Sequence, residues 1–318
     1  MKLFSKIILT ISLLFFTNIN ANETKKLAYL VSDINIPFWE IMSRGIKNEA
    51  KNNGYEVVVY SANNSNKTEI ENTLKAIKKD KVAGLIISPI NSSTAVTILK
   101  TAKRENIPVV ISDIGSDSGE YVSFISSNNT SGAYNIGKVL AKKMKQLGYD
   151  KDGSVGIVSI PQKRANGKAR TKGFMQAMNE ANIKGAGLKQ QVNFSHIETY
   201  NHSMELIKNN PNIKALFLQG SDKYHGALGA IVDSGKKGKI LLVCFDAEPE
   251  FIDIIPRGIL VGAAMQQPFL MGEKASSNLI KHIKGEKVKK NEQLEVLAIS
   301  IDNIKEKMPI IKRNVLGL

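Results

Sequence analysis

Short apolar runs alternate with longer amphipathic segments along most of the chain, and this alternation narrows the folds available to it. The first runs cover residues 27–31, 55–60, 82–87 and 107–111. Between the second and third runs, Ile70, Leu74 and Ile77 recur at helical spacing, with lysine and glutamate on the opposite side. Continuous apolar runs separated by helices are typical of a parallel sheet that helices cover on both faces.

The same alternation restarts after about residue 127. A long helix is predicted over residues 130–147, and further apolar runs cover residues 154–160, 213–218, 240–245 and 259–265. A last strand is predicted near residues 294–301. The chain has 318 residues, enough for two lobes that each enclose a core. The pattern therefore predicts an α/β protein with two Rossmann-like lobes, each a doubly wound parallel sheet.

The first residues predict export. Residues 1–6 carry two lysines, residues 7–16 form a short, largely apolar core, and residues 17–21 are polar and end on Ala21. This order is typical of a secretory signal peptide over residues 1–21, cleaved after about Ala21. The apolar core would span about half of a ~30 Å hydrocarbon layer, which disfavours a membrane anchor. No cysteine near the cleavage point offers a site for lipid attachment, so we expect a freely diffusing periplasmic protein rather than a lipoprotein.

Charge and the content of reactive residues exclude several classes of function. The net charge is +15, but the lysines are scattered among asparagines rather than clustered with aromatic residues, so no nucleic-acid partner is predicted. The single cysteine, Cys244, can form neither an internal disulfide nor a cysteine-based metal cluster. The sequence shows no G-x-S-x-G elbow, P-loop or H-E-x-x-H motif. We therefore predict no catalytic residue, no metal and no cofactor.

Polar and aromatic residues gather just after the apolar runs. Ligands of open parallel sheets bind outside the carboxyl ends of the strands. The segments that follow the predicted strands are residues 32–39, 88–91, 113–116, 161–170, 220–222, 246–248 and 266–268. We expect a ligand to bind where these segments meet.

These strand ends resemble the ribose-binding-protein family of periplasmic sugar receptors, whose fold is shared with the cores of LacI-type regulators. The matching segments, in the same order as in the family, are residues 31–55, 86–96, 107–113, 168–178, 215–230, 242–250 and 265–272. Together they cover nearly all of the chain that follows the predicted signal peptide. A cytoplasmic regulator would carry a DNA-binding headpiece where this chain has an export signal, which disfavours that reading.

The resemblance implies a type I periplasmic binding fold, in which a three-strand hinge joins two lobes that close around a ligand. It implies a first lobe of residues 22–127 plus 267–298 and a second lobe of residues 128–266 plus 299–318. The third crossing is expected between Ala298 and Ile299. Residues after Asn303 look like an added tail, to which the sequence assigns no role.

The resemblance also implies two aromatic residues and two aspartates in the site. Phe38 and Trp39 would pack against the apolar faces of a sugar ring, although both could instead cap the core of the lobe. Asp113 from one lobe and Asp246 from the other would accept hydrogen bonds from hydroxyl groups. The alternative for both aspartates is a structural role in turns or helix caps. Phe194 matches a further aromatic position of the family.

Four more polar residues match the family pattern. Arg170 corresponds to a ligand-contacting arginine, whose fork can bridge two hydroxyls or bind a carboxylate. Gln266 corresponds to a glutamine at the hinge. Ser32 and Ser88 match minor polar positions, where a serine alone is more often structural.

Three positions depart from the pattern of ribose receptors. Ile114 stands where the resemblance implies a second arginine, and Ile36 and Gly220 stand where it implies asparagines. Two aspartates would then face one arginine, and a surplus desolvated charge is costly unless it is paired. Either the ligand is positive or rich in donors, or a nearby base turns inward. The candidate bases are Lys163, Arg164, Lys168 and Lys223. Ribose itself is therefore a doubtful ligand.

The predicted function is capture of a small polar, sugar-like ligand and its delivery to an ABC permease by a monomeric protein. The alternative is a sensing role, in which the closed form is presented to a chemoreceptor or sensor kinase. An acid–base pair formed by Asp113 and Asp246, as in glycosidases, is a further alternative that the family resemblance disfavours.

Overall fold

The structure is a computed structural model and describes residues 25–318, so the predicted signal peptide over residues 1–21 lies outside the described residues. Its strands in chain order are β1 (Lys25–Val31), β2 (Tyr55–Ser61), β3 (Gly84–Ser88), β4 (Val109–Ser112), β5 (Ser123–Ser127), β6 (Ser154–Ser159), β7 (Lys184–Gln190), β8 (Ile213–Leu218), β9 (Leu241–Phe245), β10 (Gly262–Met265), β11 (Asn291–Leu294) and β12 (Leu297–Ser300). They form two six-stranded sheets, in the orders β11-β5-β4-β3-β1-β2 and β12-β10-β9-β8-β6-β7. All pairings are parallel except that of β12 with β10.

Helices cover both faces of each sheet. They are α1 (Pro37–Asn52), α2 (Asn66–Leu74), α3 (Ser92–Arg104), α4 (Asn129–Gln146), α5 (Ala165–Glu180), α6 (His196–Asn209), α7 (Tyr224–Asp233), α8 (Phe251–Ile254), α9 (Pro268–Ile283) and α10 (Ile304–Ile310). Wider π-type turns extend α2 over Lys75–Lys79 and α10 over Ile311–Leu316. None of the helices in residues 25–318 combines the length and the hydrophobicity needed to cross a membrane.

Side chains alternate between two apolar layers on either side of each sheet. In β1, Leu27 and Tyr29 pack into one cluster of the first lobe, whereas Ala28 and Leu30 pack into the cluster on the opposite face. The second lobe is built in the same way, with one cluster on each face of its sheet. Burial on both faces explains why these strands read as continuous apolar runs in the sequence.

Close contacts at glycines hold the helices that begin at the cleft. A Cβ at Gly45 of α1 would lie 2.1 Å from the carbonyl oxygen of Phe269 in α9, and one at Gly173 of α5 would lie 2.0 Å from that of Thr130 in α4. The two helix pairs can therefore approach this closely only because these positions lack a side chain. The contacts fix α1 and α5, which carry Trp39 and Arg170.

The chain passes between the lobes at Asn128, between Gln266 and Gln267, and between Leu294 and Leu297. The third position differs from the sequence-based prediction of Ala298 and Ile299. Those two residues belong to β12, which pairs with β10 in the second sheet, whereas β11 pairs with β5 in the first. A single apolar-looking segment near residues 294–301 thus contains two strands of different sheets.

The C-terminal tail contacts both lobes, although the sequence assigned residues 299–318 to the second lobe alone. Ile311 and Val315 are buried in an apolar cluster of the second lobe. Arg44 of α1 in the first lobe donates hydrogen bonds to the carbonyl oxygens of Leu316, at 2.8 Å, and Gly317, at 3.0 Å. The tail therefore lies against the hinge and joins the two lobes.

Candidate functional site

Asp113 and Trp39 form the first lobe's side of the site. Asp113 follows β4, and the indole nitrogen of Trp39 donates to its Oδ2 at 3.3 Å. Trp39 is only 8% exposed and belongs to the apolar cluster below it, and Phe38 packs edge-on against it with ring centroids 6.3 Å apart. The ring of Trp39 thus caps the core of the lobe, and its N–H group orients the carboxylate. Phe38 is half-buried and is the more accessible of the two rings.

Arg170, Asp246 and Gln266 form one network on the second lobe's side. Arg170 of α5 is 3% exposed, and its Nη1 donates to Asp246 Oδ2 at 3.3 Å and to the carbonyl oxygen of Gln219 at 2.6 Å. Its Nε donates to Asn129 Oδ1 at 2.8 Å. The side-chain amide of Gln266, at the hinge, donates to the other carboxylate oxygen of Asp246. The network holds the arginine fork and the aspartate in fixed positions relative to the hinge.

Ser32 and Ser88 make their hydrogen bonds within the protein. The Ser32 hydroxyl donates to the carbonyl oxygen of Ser88 at 3.0 Å. The Ser88 hydroxyl lies 3.0 Å from both the Tyr29 hydroxyl and the Ser112 hydroxyl. Both serines are buried, and these bonds tie together the ends of the strands beneath Asp113.

Burial raises the pKa of both aspartates. The pKa of Asp113 rises from 3.8 to about 6, because desolvation and the like charge of Asp246 outweigh the opposing effects of Arg170, Trp39 and Arg164. Desolvation also raises the pKa of Asp246, against the charge of Arg170 and the hydrogen bond from Gln266. Two partly desolvated carboxyl groups, one from each lobe, therefore act on each other in the site.

A cavity of about 1160 Å³ lies between the two lobes. Asp113 and Phe194 line it, and so does Asn129, which accepts the hydrogen bond from Arg170. The other polar lining residues include Asn64, Asn91, Ser116, Asn128, Lys163, Arg164, Asn166 and Gln190. Of the predicted site residues, Asp113 and Phe194 line this cavity. Trp39 reaches it through its hydrogen bond to Asp113, and the network of Arg170, Asp246 and Gln266 reaches it through the bond from Arg170 to Asn129.

Several lining residues were missed from the sequence. Asn64 follows β2, Asn129 begins α4 just after the first crossing, and Gln190 ends β7. Asn64 and Asn129 lie just after strands, so the rule that ligands bind outside the carboxyl ends of parallel strands could have identified them. Gln190 could not be found in this way, because β7 was not recognised as a strand.

Phe194 is held at the cavity wall by a neighbouring carboxylate. Glu198 of α6 accepts hydrogen bonds from the backbone amides of Val192, Asn193 and Phe194 at 2.7, 2.9 and 2.8 Å. The guanidinium group of Arg164 lies over the Phe194 ring, 5.4 Å from its centroid. The ring of Phe194 and the guanidinium group of Arg164 thus form one edge of the cleft in the second lobe.

The departure at Ile114 and the surplus negative charge it implies can be examined in the structure. Ile114 is 7% exposed and packs in the cluster that contains Trp39, so its side chain adds to the core. Of the four candidate bases, the half-buried Arg164 lines the cavity together with Asp113, and its charge lowers the pKa of that carboxyl. Lys163 and Lys168 are exposed, and Lys223 pairs with Asp222, their charged atoms 2.8 Å apart.

No three His, Cys, Asp or Glu side chains within residues 25–318 come close enough together to hold a metal ion. Cys244 is a buried residue of β9, where desolvation raises the pKa of its thiol far above the usual value.

Two parallel-sheet lobes, a hinge of several crossings and a polar cavity between the lobes define a two-lobed binding protein. The chain belongs to the ribose-binding family of periplasmic sugar-binding proteins. Residues 27–287 match the family model described as a periplasmic binding protein domain. The ribose import binding protein of Escherichia coli K12 is 30% identical over 289 residues, which cover 91% of this chain and 95% of that protein. The D-allose-binding periplasmic protein of the same organism is 25% identical over 77% of this chain and 80% of that protein.

Solved structures confirm the predicted fold class. A carbohydrate transporter solute-binding protein from Agrobacterium radiobacter, in complex with D-arabinose, superposes with a TM-score of 0.82 at 22% identity, covering 92% of this chain and 99% of that one. An ABC transporter periplasmic solute-binding protein from Actinobacillus succinogenes 130z with bound D-allose gives a TM-score of 0.81 at 21% identity, covering 89% and 99% of the two chains. The family resemblance drawn from the strand ends is likewise confirmed.

Proposed function

We propose that this chain is a periplasmic solute-binding protein that captures a small sugar-like ligand between its lobes and delivers it to an ABC importer, without catalysing a reaction. The observation that carries the proposal is that Asp113 of the first lobe lies within electrostatic reach of the paired Arg170 and Asp246 of the second lobe, beside a polar cavity that residues of both lobes line. The names of the relatives, which bind ribose, allose and arabinose, support a carbohydrate as the ligand.

The geometry suits a polyhydroxylated ring. Ionised carboxylates of Asp113 and Asp246 would accept charge-assisted hydrogen bonds from hydroxyl groups, and the Arg170 fork would donate to hydroxyl or ring oxygens. Phe38 and Phe194 offer apolar surface for the C–H faces of the ring. A ligand that contacts both lobes stabilises the closed state, which is the form that an importer would recognise.

Trp39 and Asp113 lie in one lobe and Arg170 and Asp246 in the other, so ligand binding should depend on residues from both sides.

A thermal-shift screen should cover pentoses, hexoses, polyols, furanoses and amines. A ligand at about 100 times its Kd stabilises the native state by about 2.7 kcal/mol. We expect a clear rise in melting temperature with one or a few sugars, and unchanged sugar on recovery from the complex.

Matched variants make this experiment specific. Asp246→Asn should abolish the rise, whereas Asp302→Asn, at an exposed aspartate paired with Lys142, should retain it. A screen in which no sugar or polyol shifts the melting temperature, or one in which Asp246→Asn responds like the wild type, would contradict the proposed function.

A further inference from the structure

The cleft contains two guanidinium groups, although the chain lacks the second arginine that its family resemblance implies. Arg164 lies in the loop between β6 and α5, and Arg170 lies two turns further along. Both groups act on the charge of Asp113, as does the carboxylate of Asp246. Two carboxylates and two guanidinium groups thus lie close together with balanced formal charges, and Asp222, which also acts on Asp246, is paired with Lys223 at 2.8 Å.

Arg164 also contacts both lobes at the cavity wall. Its Nη2 lies 3.4 Å from the carbonyl oxygen of Ile90, which belongs to the first lobe. Its guanidinium group rests on Phe194 of its own lobe. One side chain therefore contacts a fixed ring on one side of the cleft and a backbone acceptor on the other.

A glutamate carboxylate anchors each of these partners. On the second lobe, Glu198 holds the loop that ends at Phe194 through three backbone amides. On the first lobe, Glu69 is 1% exposed and accepts the amide of Ile90 at 2.9 Å, so the Ile90 carbonyl has a fixed direction. Arg164 thus meets preorganised partners, which lowers the entropic cost of its contacts.

We infer that Arg164 is a specificity-determining residue of the ligand site, where it balances the charge of Asp113 and Asp246 and so selects a neutral polyhydroxylated ligand over an amine. The choice of ligand rests on the proposed function, but the electrostatic role does not. Without Arg164, the site would hold a surplus negative charge that favours a cationic ligand. The other charged residues that line the cavity, Asp117 and Lys163, are both exposed and therefore better screened.

A titration without ligand tests the electrostatic role. Trp39 is the only tryptophan of the chain, and its indole N–H bonds to Asp113, so its fluorescence reports the protonation of that carboxylate. In the wild type, we expect a transition near pH 6. Arg164→Met should move the midpoint upward by about one pH unit, the lower end of the effect of a nearby opposite charge.

Two further variants control this titration. Lys168→Met removes an exposed charge on the same helix and should leave the midpoint unchanged. Asp113→Asn should remove the transition, which assigns it to that residue. A folded Arg164→Met protein with the wild-type midpoint would overturn the inference.

Calorimetry with D-ribose and D-allose as neutral probes and D-glucosamine as the amine probe tests the selectivity. Arg164→Met should bind the neutral sugar at least about tenfold more weakly, as expected for a lost hydrogen bond to a charged group, and should bind the amine better relative to it. Arg164→Lys should keep the titration midpoint, because the charge remains, but bind more weakly, because the fork is lost. Unchanged preference in Arg164→Met would overturn the inference. If the wild type binds none of the probes, the proposed function fails for these sugars, while the titration still decides the role of Arg164.

Discussion

Asp113 and Asp246 occupy matching positions in the two lobes and share an uncommon backbone conformation. Asp113 follows β4 and Asp246 follows β9, and each of these strands pairs with the strand that leads into a crossing. Their φ angles are 68° and 72°. Each donates its amide to a carbonyl oxygen of the neighbouring strand, Ile125 at 3.0 Å and Ala264 at 2.9 Å. Aspartate tolerates the left-handed region better than most residues, because its short polar side chain can bond locally. The same strained turn thus directs the carboxylate of Asp113 to the cavity and that of Asp246 to Arg170 and Gln266.

The raised pKa of Asp113 predicts a pH-dependent cost to stability. The folded protein holds this proton up to about pH 6, whereas the unfolded chain releases it near 3.8, so stability is lost as the pH rises through that window. Asp113→Asn should therefore raise the free energy of unfolding of the unliganded protein by about 1 kcal/mol at pH 7.5. At pH 5 the gain should be about half as large, because the unfolded chain has already released this proton while the folded protein still holds it. Urea denaturation at both pH values measures the difference.

The exposed Asp152 provides the control for this prediction. Asp152→Asn should change stability by less than about 0.5 kcal/mol at either pH. A gain for Asp113→Asn that is equal at pH 5 and pH 7.5 would show that burial of the charge is not its cause.

The pair formed by Arg170 and Asp246 should show strong coupling. Arg170→Met leaves the carboxylate of Asp246 without its cation in a site where it is mostly buried, which should lower the free energy of unfolding by about 3 kcal/mol. The double variant Arg170→Met/Asp246→Asn should recover part of that loss, because no uncompensated charge remains. A double-mutant cycle measured by urea denaturation at pH 8 gives the coupling energy. Strictly additive losses would contradict the pairing.

Gly173→Ala should displace α5 and with it Arg170. The added Cβ would lie 2.0 Å from the carbonyl oxygen of Thr130, so α4 and α5 must separate. We expect a loss of about 2 kcal/mol in the free energy of unfolding, within the range for overpacked sites, together with weaker ligand binding. Gly185→Ala is the matched control, since its nearest neighbour, Met175 Cε, would be 3.6 Å away. Equal stability of the two variants would argue against the close approach of the helices.

The tail should contribute to stability through its buried face. Ile311→Ala empties a fully buried position in the second lobe's core and should lower the free energy of unfolding by about 2–4 kcal/mol. Leu318→Ala changes a residue that is 74% exposed and should cost less than about 0.5 kcal/mol. Thermal denaturation of both variants measures the contrast, and a small effect of Ile311→Ala would show that the tail does not pack as described.

The sequence predicts the central strands and the edge strands β2 and β12, but it misses the edge strands β7 and β11. Strands such as β3 and β9 are buried on both faces, so their apolar runs stand out from the helices around them. β7 (KGAGLKQ) and β11 (NEQL) lie at the edges of their sheets and contain few apolar residues. Nothing in their composition marks them as strands, because their pairing with an existing sheet, rather than their own burial, makes them extended.

The candidate site shows a similar division. Asp113, Arg170, Asp246 and Gln266 could be named because each follows a strand or lies in a segment that matches the family. The direction of a long side chain cannot be predicted in this way, because the Arg164 side chain could point to solvent or into the cleft from the same backbone position. Its direction depends on Phe194 and Ile90, which lie far away in the sequence and come together only in the folded protein.

The pairing of β11 with β5 has a consequence for how the protein can be divided. The last strand of the first sheet, β11, comes in the sequence only after five strands of the second sheet, β6 to β10. A fragment that stopped near Asn128 would leave β5 with a free edge, open to pairing with strands of other molecules. No single cut in the sequence therefore yields two fragments that each contain a complete sheet.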